Sequence, residues 1–306
     1  MMQQIKIIFL GTSQAIPTET RNHTSILLQY KGENILIDCG EGTQRQFRKA
    51  KLNMCKVNKL LITHWHGDHV LGIPGFLQSL ALNNYSKTLE VYGPLGTKKF
   101  MYELMNIFIP VNKIKLVIKE AKGTFFEDED FSLEAIQLTH TIPVNGYSFN
   151  EKNKLKIKKE KLNAILKKLN PSKEDFQKLD LLKQGKDILV KGKKIKYKEL
   201  TELEKGRKVS FIFDTGYCSN AKKLAQNADI AIIESTYAEE EKDLAKQYLH
   251  LTSVMAAEIA KAGKAKQLIL THISQRHEFK EKNLLNEAKK IFPNTKIAHD
   301  LMEVNL

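Results

Sequence analysis

Cysteine is scarce in this 306-residue chain: Cys39, Cys55 and Cys218 are the only three, none forms a CxxC pair, and the count is odd. That excludes a disulfide framework and points to a reducing compartment, with each thiol read as a small buried hydrophobe. Long apolar runs are missing too. No stretch approaches the roughly 18 apolar residues that cross a bilayer, and Met1–Leu10 has neither a basic lead nor an extended apolar core. A cytoplasmic protein with no membrane partner is expected. Acidic charge falls short of basic charge, 35 Asp and Glu against 49 Lys and Arg, for a formal +14. The imbalance is local: residues 151–210 hold 20 Lys and Arg against 9 Asp and Glu, and the remainder is near balance. Such an asymmetry points to a polyanionic partner.

What the sequence does contain is concentrated at His64-Trp65-His66-Gly67-Asp68-His69. This stretch follows Lys59-Leu60-Leu61-Ile62-Thr63, an apolar run that reads as a buried strand, so three imidazoles and a carboxylate emerge together where a strand ends. Alternation puts His64 and His66 on one side of the chain and turns Asp68 and His69 toward another. Neutral imidazole and carboxylate suit zinc, and two metals rather than one are the natural reading. A polar surface loop is the competing account, but four potential ligands within six residues weigh against it. The same grammar recurs in Ile136–His140, Phe211–Asp214 and Leu268–His272, each a short apolar run ending in one metal-competent residue. Four strand ends are expected to converge on one site.

HxHxDH followed by single His, Asp and His residues at strand ends resembles the metallo-β-lactamase superfamily. Further stretches narrow the resemblance to its ribonuclease Z family, the endonucleases that trim the 3′ end of precursor tRNA. They are Gly11-Thr12-Ser13 with Pro17-Thr18 and Arg21-Asn22, Asp38-Cys39-Gly40-Glu41-Gly42-Thr43-Gln44-Arg45-Gln46, His250-Leu251-Thr252, and Leu270-Thr271-His272-Ile273-Ser274. The resemblance covers nearly the whole chain. It implies two zinc ions per chain, with His64, His66 and His140 on one, Asp68, His69 and His272 on the other, and Asp214 bridging. An anionic bridge makes physical sense because it screens two dications at short range.

The resemblance also implies hydrolysis of a phosphodiester by a hydroxide held between the metals, leaving a 3′-hydroxyl on the tRNA. Asp68 would double as general base, and His250 would protonate the leaving oxygen, an imidazole being an acid suited to neutral pH. Asp38 is expected to orient a ligand histidine through its other N–H. Glu234 reads either as the partner that tunes His250 or as an ordinary polar cap at a strand end. His277 and His299 read as structural or surface histidines.

Taken in order, strands are expected near 5–10, 24–29, 34–38, 59–63, 89–92, 114–119, 131–139 and 146–149, with helices over 74–82 and Thr97–Phe108. After residue 207 come strands at 208–215, 229–234, 266–271 and 295–304, with helices at Asn220–Asn227, Thr252–Lys264, where Thr252 is placed to cap, and 281–292. Two such rounds imply an α/β fold, the four-layer αββα sandwich of the metallo-β-lactamases, as a single domain over 1–306. The Lys-dense segment 151–207 interrupts it. A helix over 158–169 stops at Pro171, short polar strands follow at 187–198, and so little core-forming capacity suggests an excursion without a core of its own. A solvated linker is the bland reading. By resemblance this is a basic tRNA-binding arm, which in a homodimer presents precursor tRNA to the other subunit's site. The family's Gly-Pro-rich arm tip has no counterpart within 151–207, and His-Leu-Thr and Ser274-Gln275-Arg276-His277 depart from His-Ser-Thr and Ser-x-Arg-Tyr. Two rivals stand beside this reading: a hydrolase of the same fold acting on small phosphodiesters or esters, and a catalytically silent RNA-binding subunit.

Overall fold

The structure, a computed structural model, describes residues 3–107, 114–169 and 172–306. The expected helix end at Phe108 and the stop at Pro171 lie outside the described residues. The chain divides into two compact units: one combines the segment up to Glu127 with Ser132–Phe149 and Lys208–Leu306, the other Asp128–Phe131 with Asn150–Arg207.

The first sheet starts as an antiparallel meander of β1 (Lys6–Gly11), β2 (Ser25–Tyr30) and β3 (Glu33–Ile37). To its far edge β4 (Lys59–Leu61), β5 (Thr88–Gly93) and β6 (Lys115–Glu120) add in parallel. The inner strands read as apolar runs because both faces are covered, as Ile7, Ile8, Phe9 and Leu10 are, whereas the edge strand β6 is partly exposed along its length. The second sheet takes β7 (Gly123–Glu127), β8 (Phe131–Gln137) and β9 (Asn145–Glu151). Four short strands of the smaller unit come next: β10 (Lys154–Ile157), β11 (Ile188–Val190), β12 (Lys193–Ile195) and β13 (Thr201–Glu204). Then β14 (Lys208–Ile212), β15 (Ile230–Glu234), β16 (Gln267–Thr271) and β17 (Thr295–Ile297) run parallel in the second sheet. Finally β18 (Glu303–Asn305) pairs with β1, so each large sheet has seven strands.

Aromatic side chains fill the space between the two sheets. Tyr30 meets Phe149 edge-on at 5.3 Å between ring centroids, Tyr92 lies 4.7 Å from Phe125, and the Tyr147 hydroxyl donates to the Ile62 carbonyl at 2.7 Å. Helices cover the outer faces. Ile73–Leu82 buries Ile73, Phe76 and Leu80 on the first sheet, while Ser219–Ala225, Ser253–Ala262 and Glu281–Ile291 bring Leu224, Ile259 and Ala288 to the second. Thr252 caps its helix as expected, accepting from the Met255 amide. The architecture is the expected four-layer αββα sandwich.

Three expectations are corrected. The single strand at 295–304 is two, β17 and β18, in different sheets. Between them Asp300 is half-committed to the interior, accepting from the Thr12 hydroxyl, the Asn22 amide and the Gln46 amide group at 2.7–2.8 Å, which no straight strand allows. The segment 151–207 does have a core: Leu162, Leu166, Leu182, Ile188, Val190, Ile195 and Leu200 bury together. Sparse apolar residues at helical and alternating spacings converge there, while the lysines between them keep their ammonium groups in water. Helices Thr43–Lys49, Lys173–Gln177, Leu179–Lys183 and Lys242–Tyr248, and the strands β7, β10 and β13, were not anticipated. Truncating the fully buried Leu182 to alanine is expected to destabilise the smaller unit by about 2–5 kcal/mol. Amide exchange should quicken across 150–207 while β14, β15 and β16 keep their protection.

Candidate metal centre

The chemistry-bearing residues lie where strands end. Past β4 the chain stays extended through His64 and His66, and helix Gly67–Val70 then redirects Asp68 and His69. Asp38, Asp214 and His272 follow β3, β14 and β16 in left-handed backbone, at φ of 56°, 44° and 58°. That conformation is uncommon for residues with a side chain, and proteins retain it where a group must be aimed. Space is tight as well. A side chain at Gly40 would collide with the Asp68 carbonyl and with His23, so only glycine lets this loop pass behind the cluster.

All seven expected ligands meet. His66 Nδ1 stands 3.0 Å from His64 Nε2 and 3.3 Å from His140 Nε2, and Asp214 Oδ2 lies 3.5 Å and 4.0 Å from those two Nε2 atoms. The second set gathers around the other carboxylate oxygen: Asp214 Oδ1 is 3.2 Å from His272 Nε2 and 3.5 Å from His69 Nε2. Asp68 Oδ2 completes it at 3.4 Å and 3.5 Å from the same two nitrogens. Ligands of a tetrahedral ion with arms of about 2.0–2.1 Å stand roughly 3.3–3.4 Å apart, so separations of 3.0–4.0 Å suit donors gathered around a small divalent cation in each set. The donors fit too, because Asp214 Oδ1 is buried with no hydrogen-bond partner, a costly state unless a cation takes its lone pair.

Four of the five histidines, all but His66, have an outward ring nitrogen engaged. His69 Nδ1 donates to Asp38 Oδ2 at 2.7 Å, His64 Nδ1 to Thr63 Oγ1 at 3.1 Å, His272 Nδ1 to Thr236 Oγ1 at 3.1 Å, and His140 Nδ1 to the Leu249 carbonyl at 3.2 Å. Each bond fixes the tautomer that leaves Nε2 bare for a metal. The hydroxyls are themselves aimed by carboxylates, Thr63 donating to Asp38 and Thr236 to Glu234, both at 2.7 Å. Asp38 thus takes the orienting role expected of it. Thr63, Thr236, the Leu249 carbonyl and the Ala15 amide, which donates to Asp68 Oδ2 at 2.9 Å, were not singled out. The only signal for Thr63 is a hydroxyl placed beside a strand-end histidine, and Thr236, two residues past Glu234, has none.

Electrostatics divides the two sets. Burial, with help from the His69 charge, pushes His64 well below its ordinary pKa, and burial lowers His66 and His140 as well. Burial opposes charging of His69 too, but Asp68, Asp214 and Asp38 around it raise its pKa well above the usual value. Asp68 and Asp214 are held far below the carboxylate range by the neighbouring imidazoles despite their burial. The two sets thus differ in direction: burial disfavours the charged imidazole in the first, and the surrounding carboxylates favour it at His69 in the second.

His250 lies beside these ligands, its ring centroid 5.1 Å from that of His140 and 5.7 Å from that of His272. Its Nδ1 donates to Glu234 Oε2 at 2.9 Å, and Glu234, fully buried, also accepts from the amides of Thr215 and Leu251. Burial pulls the His250 pKa down, and the Glu234 carboxylate outweighs it, lifting the pKa to about 9. His277 is buried 2.9 Å from Glu241, and His299 is exposed; neither joins the cluster.

Comparison with known proteins bears on the family and the fold. Residues 5–152 match the family model described as anti-Pycsar protein Apyc1. Ribonuclease Z of Microcystis aeruginosa is 38% identical, over 97% of this chain and 95% of its own. Human tRNase Z, short form, superposes with a TM-score of 0.67 at 28% identity over 98% of each chain. The metallo-β-lactamase fold protein YhfI of Bacillus subtilis gives 0.70 at 18% identity, over 99% of this chain and all of its own, which shows the shared fold. If Asp214 serves both ligand sets, Asp214→Ala should lower metal content from about two ions per chain to near none. Thr236→Val, which leaves every ligand in place, should weaken binding by about 10- to 100-fold, both read by titration with a competing chelator.

Proposed function

The chain belongs to the ribonuclease Z family, and on that premise we propose that it is the zinc-dependent endonuclease that removes the 3′ trailer of precursor tRNA and leaves a 3′-hydroxyl. The observation that carries this reading is the single carboxylate, Asp214, offering one oxygen to each of two ligand sets beside an acid–carboxylate pair, His250 and Glu234. Bound zinc supplies an activated water and neutralises charge on the phosphate. His64, His66 and His140 would hold one ion and Asp68, His69 and His272 the other. Asp68, kept ionised, accepts a proton or hydrogen bond from the attacking water, and the Ala15 amide fixes its orientation. His250 protonates the departing 3′ oxygen through Nε2, since Nδ1 is committed to Glu234. A raised pKa keeps that proton in place at neutral pH.

Substrate binding falls to the smaller unit. Its lysines neutralise phosphates as mobile point charges, an affinity that depends little on sequence and suits an enzyme that reads the shape of many tRNAs. Between β11 and β12 the chain reverses at Lys191 and Gly192, both at positive φ, and this Lys-flanked hairpin stands in for the family's Gly-Pro tip as the arm's contact with tRNA. The reading includes a homodimer in which one subunit's arm serves the other's centre, and a cytoplasmic setting. Among the described residues no helix is long and apolar enough to cross a membrane.

Mapping the cut on a precursor tRNA, with a small bis-aryl phosphodiester as the comparison substrate, tests the assignment. A protein that hydrolyses only the small ester would fit the small-substrate alternative. His250→Ala should keep its metal yet turn over precursor tRNA about 10²- to 10⁴-fold more slowly. Deleting 151–207 should spare metal binding and hydrolysis of the small ester while abolishing precursor cleavage; normal processing by the truncated protein would overturn the arm.

A further inference from the structure

Two tyrosines lie exposed within a few residues of the centre. Tyr217, 44% exposed, follows Asp214 by three residues, a reach of at most about 11 Å along the chain. Tyr248, 50% exposed, precedes His250 by two. The backbone beside both is tied to the ligand His140: the Gly216 amide donates to the Thr139 carbonyl at 2.8 Å, and the Leu249 carbonyl accepts from His140 Nδ1. Leu249 lies where a side chain at position 216 would point, so the two segments run close to each other. Tyr217 has a further feature. Lys222, on helix Ser219–Ala225, sets its ammonium 4.4 Å from the ring centroid, which holds the ring in place and puts a cation next to it.

An exposed aromatic ring with an ammonium over one face, three residues along the chain from Asp214, offers a counterpart to each of the two repeating parts of single-stranded RNA. A base stacks on the ring, and the phosphate beside it pairs with the cation. We propose that Tyr217 is the stacking platform for one of the two nucleobases that flank the scissile phosphate, with Lys222 taking the adjoining backbone phosphate. The proposal rests on the reading of this centre as an RNA endonuclease. Stacking is tolerant of base identity, so the contact orders the strand at the cut without selecting a sequence, which an enzyme acting on many tRNAs requires.

Steady-state cleavage of precursor tRNA tests it. Tyr217→Ala should lower kcat/KM about 5- to 150-fold at unchanged metal content. Tyr217→Trp should restore it, and Tyr217→Leu, apolar but not aromatic, should not. Two further precursors, each abasic on one side of the cut, identify the partner: on one of them the native protein and Tyr217→Ala become equal. A leucine that works as well as tryptophan, or a Tyr217→Ala penalty that persists undiminished on both abasic precursors, overturns the proposal alone. Failure of the native protein to cut any precursor tRNA removes the nuclease reading and this proposal with it.

Discussion

Asp214 is the constraint on which the rest depends. Its two oxygens face two groups of imidazoles across distances of 3.2–4.0 Å, and it sits fully enclosed at the end of β14 in backbone that few residues with side chains adopt. A carboxylate buried this deeply is unfavourable unless positive charge surrounds it. Everything around it supplies that charge or holds open the place for it. Helix Gly67–Val70 brings two ligands from one sheet, β16 brings His272 from the other, and the loop after β8 closes the ring with His140. The sandwich provides the stiffness: parallel strands from both sheets end at one rim, the usual place for a site in such sheets.

The support behind the ligands is built twice. In the first sheet Asp38, leaving β3, accepts from Thr63 and from His69; in the second Glu234, ending β15, accepts from Thr236 and from His250. Carboxylate, threonine hydroxyl and imidazole recur in the same order of contact. The surroundings differ beyond each imidazole. His69 faces two more carboxylates, whereas His250 stands beside the ligand set with Glu234 as its chief anion.

Much of this was legible in the sequence. Buried strands show as continuous apolar runs, and a histidine or aspartate directly after one is conspicuous, so the metal ligands stood out at four strand ends. The threonines did not, because a β-branched hydroxyl at a strand terminus looks like any strand residue until its partner is seen. Helix Thr43–Lys49 was concealed for a related reason: it buries little besides Phe47 and Gln46 and begins at a left-handed glycine, Gly42, within what reads as a turn. The stretch from Thr295 to Val304 contains no glycine or proline to mark the crossing between sheets, and the sequence carries no sign of which sheet a residue joins. In the smaller unit, charge density hid a core whose members are few and far apart.

The clamp at Asp300 ties the centre to the order in which the chain is made. This carboxylate holds the loop after β1 through Thr12 and Asn22, and the same loop delivers the Ala15 amide to Asp68. His272 comes late as well. Synthesis from the N-terminus exposes His64, His66, Asp68 and His69 before Asp214, His272 and Asp300, so the cluster cannot close until all of these have emerged. Such long-range closure makes folding slow relative to local helix formation, and it makes the centre depend on contacts such as His69 to His272, 203 positions apart in sequence.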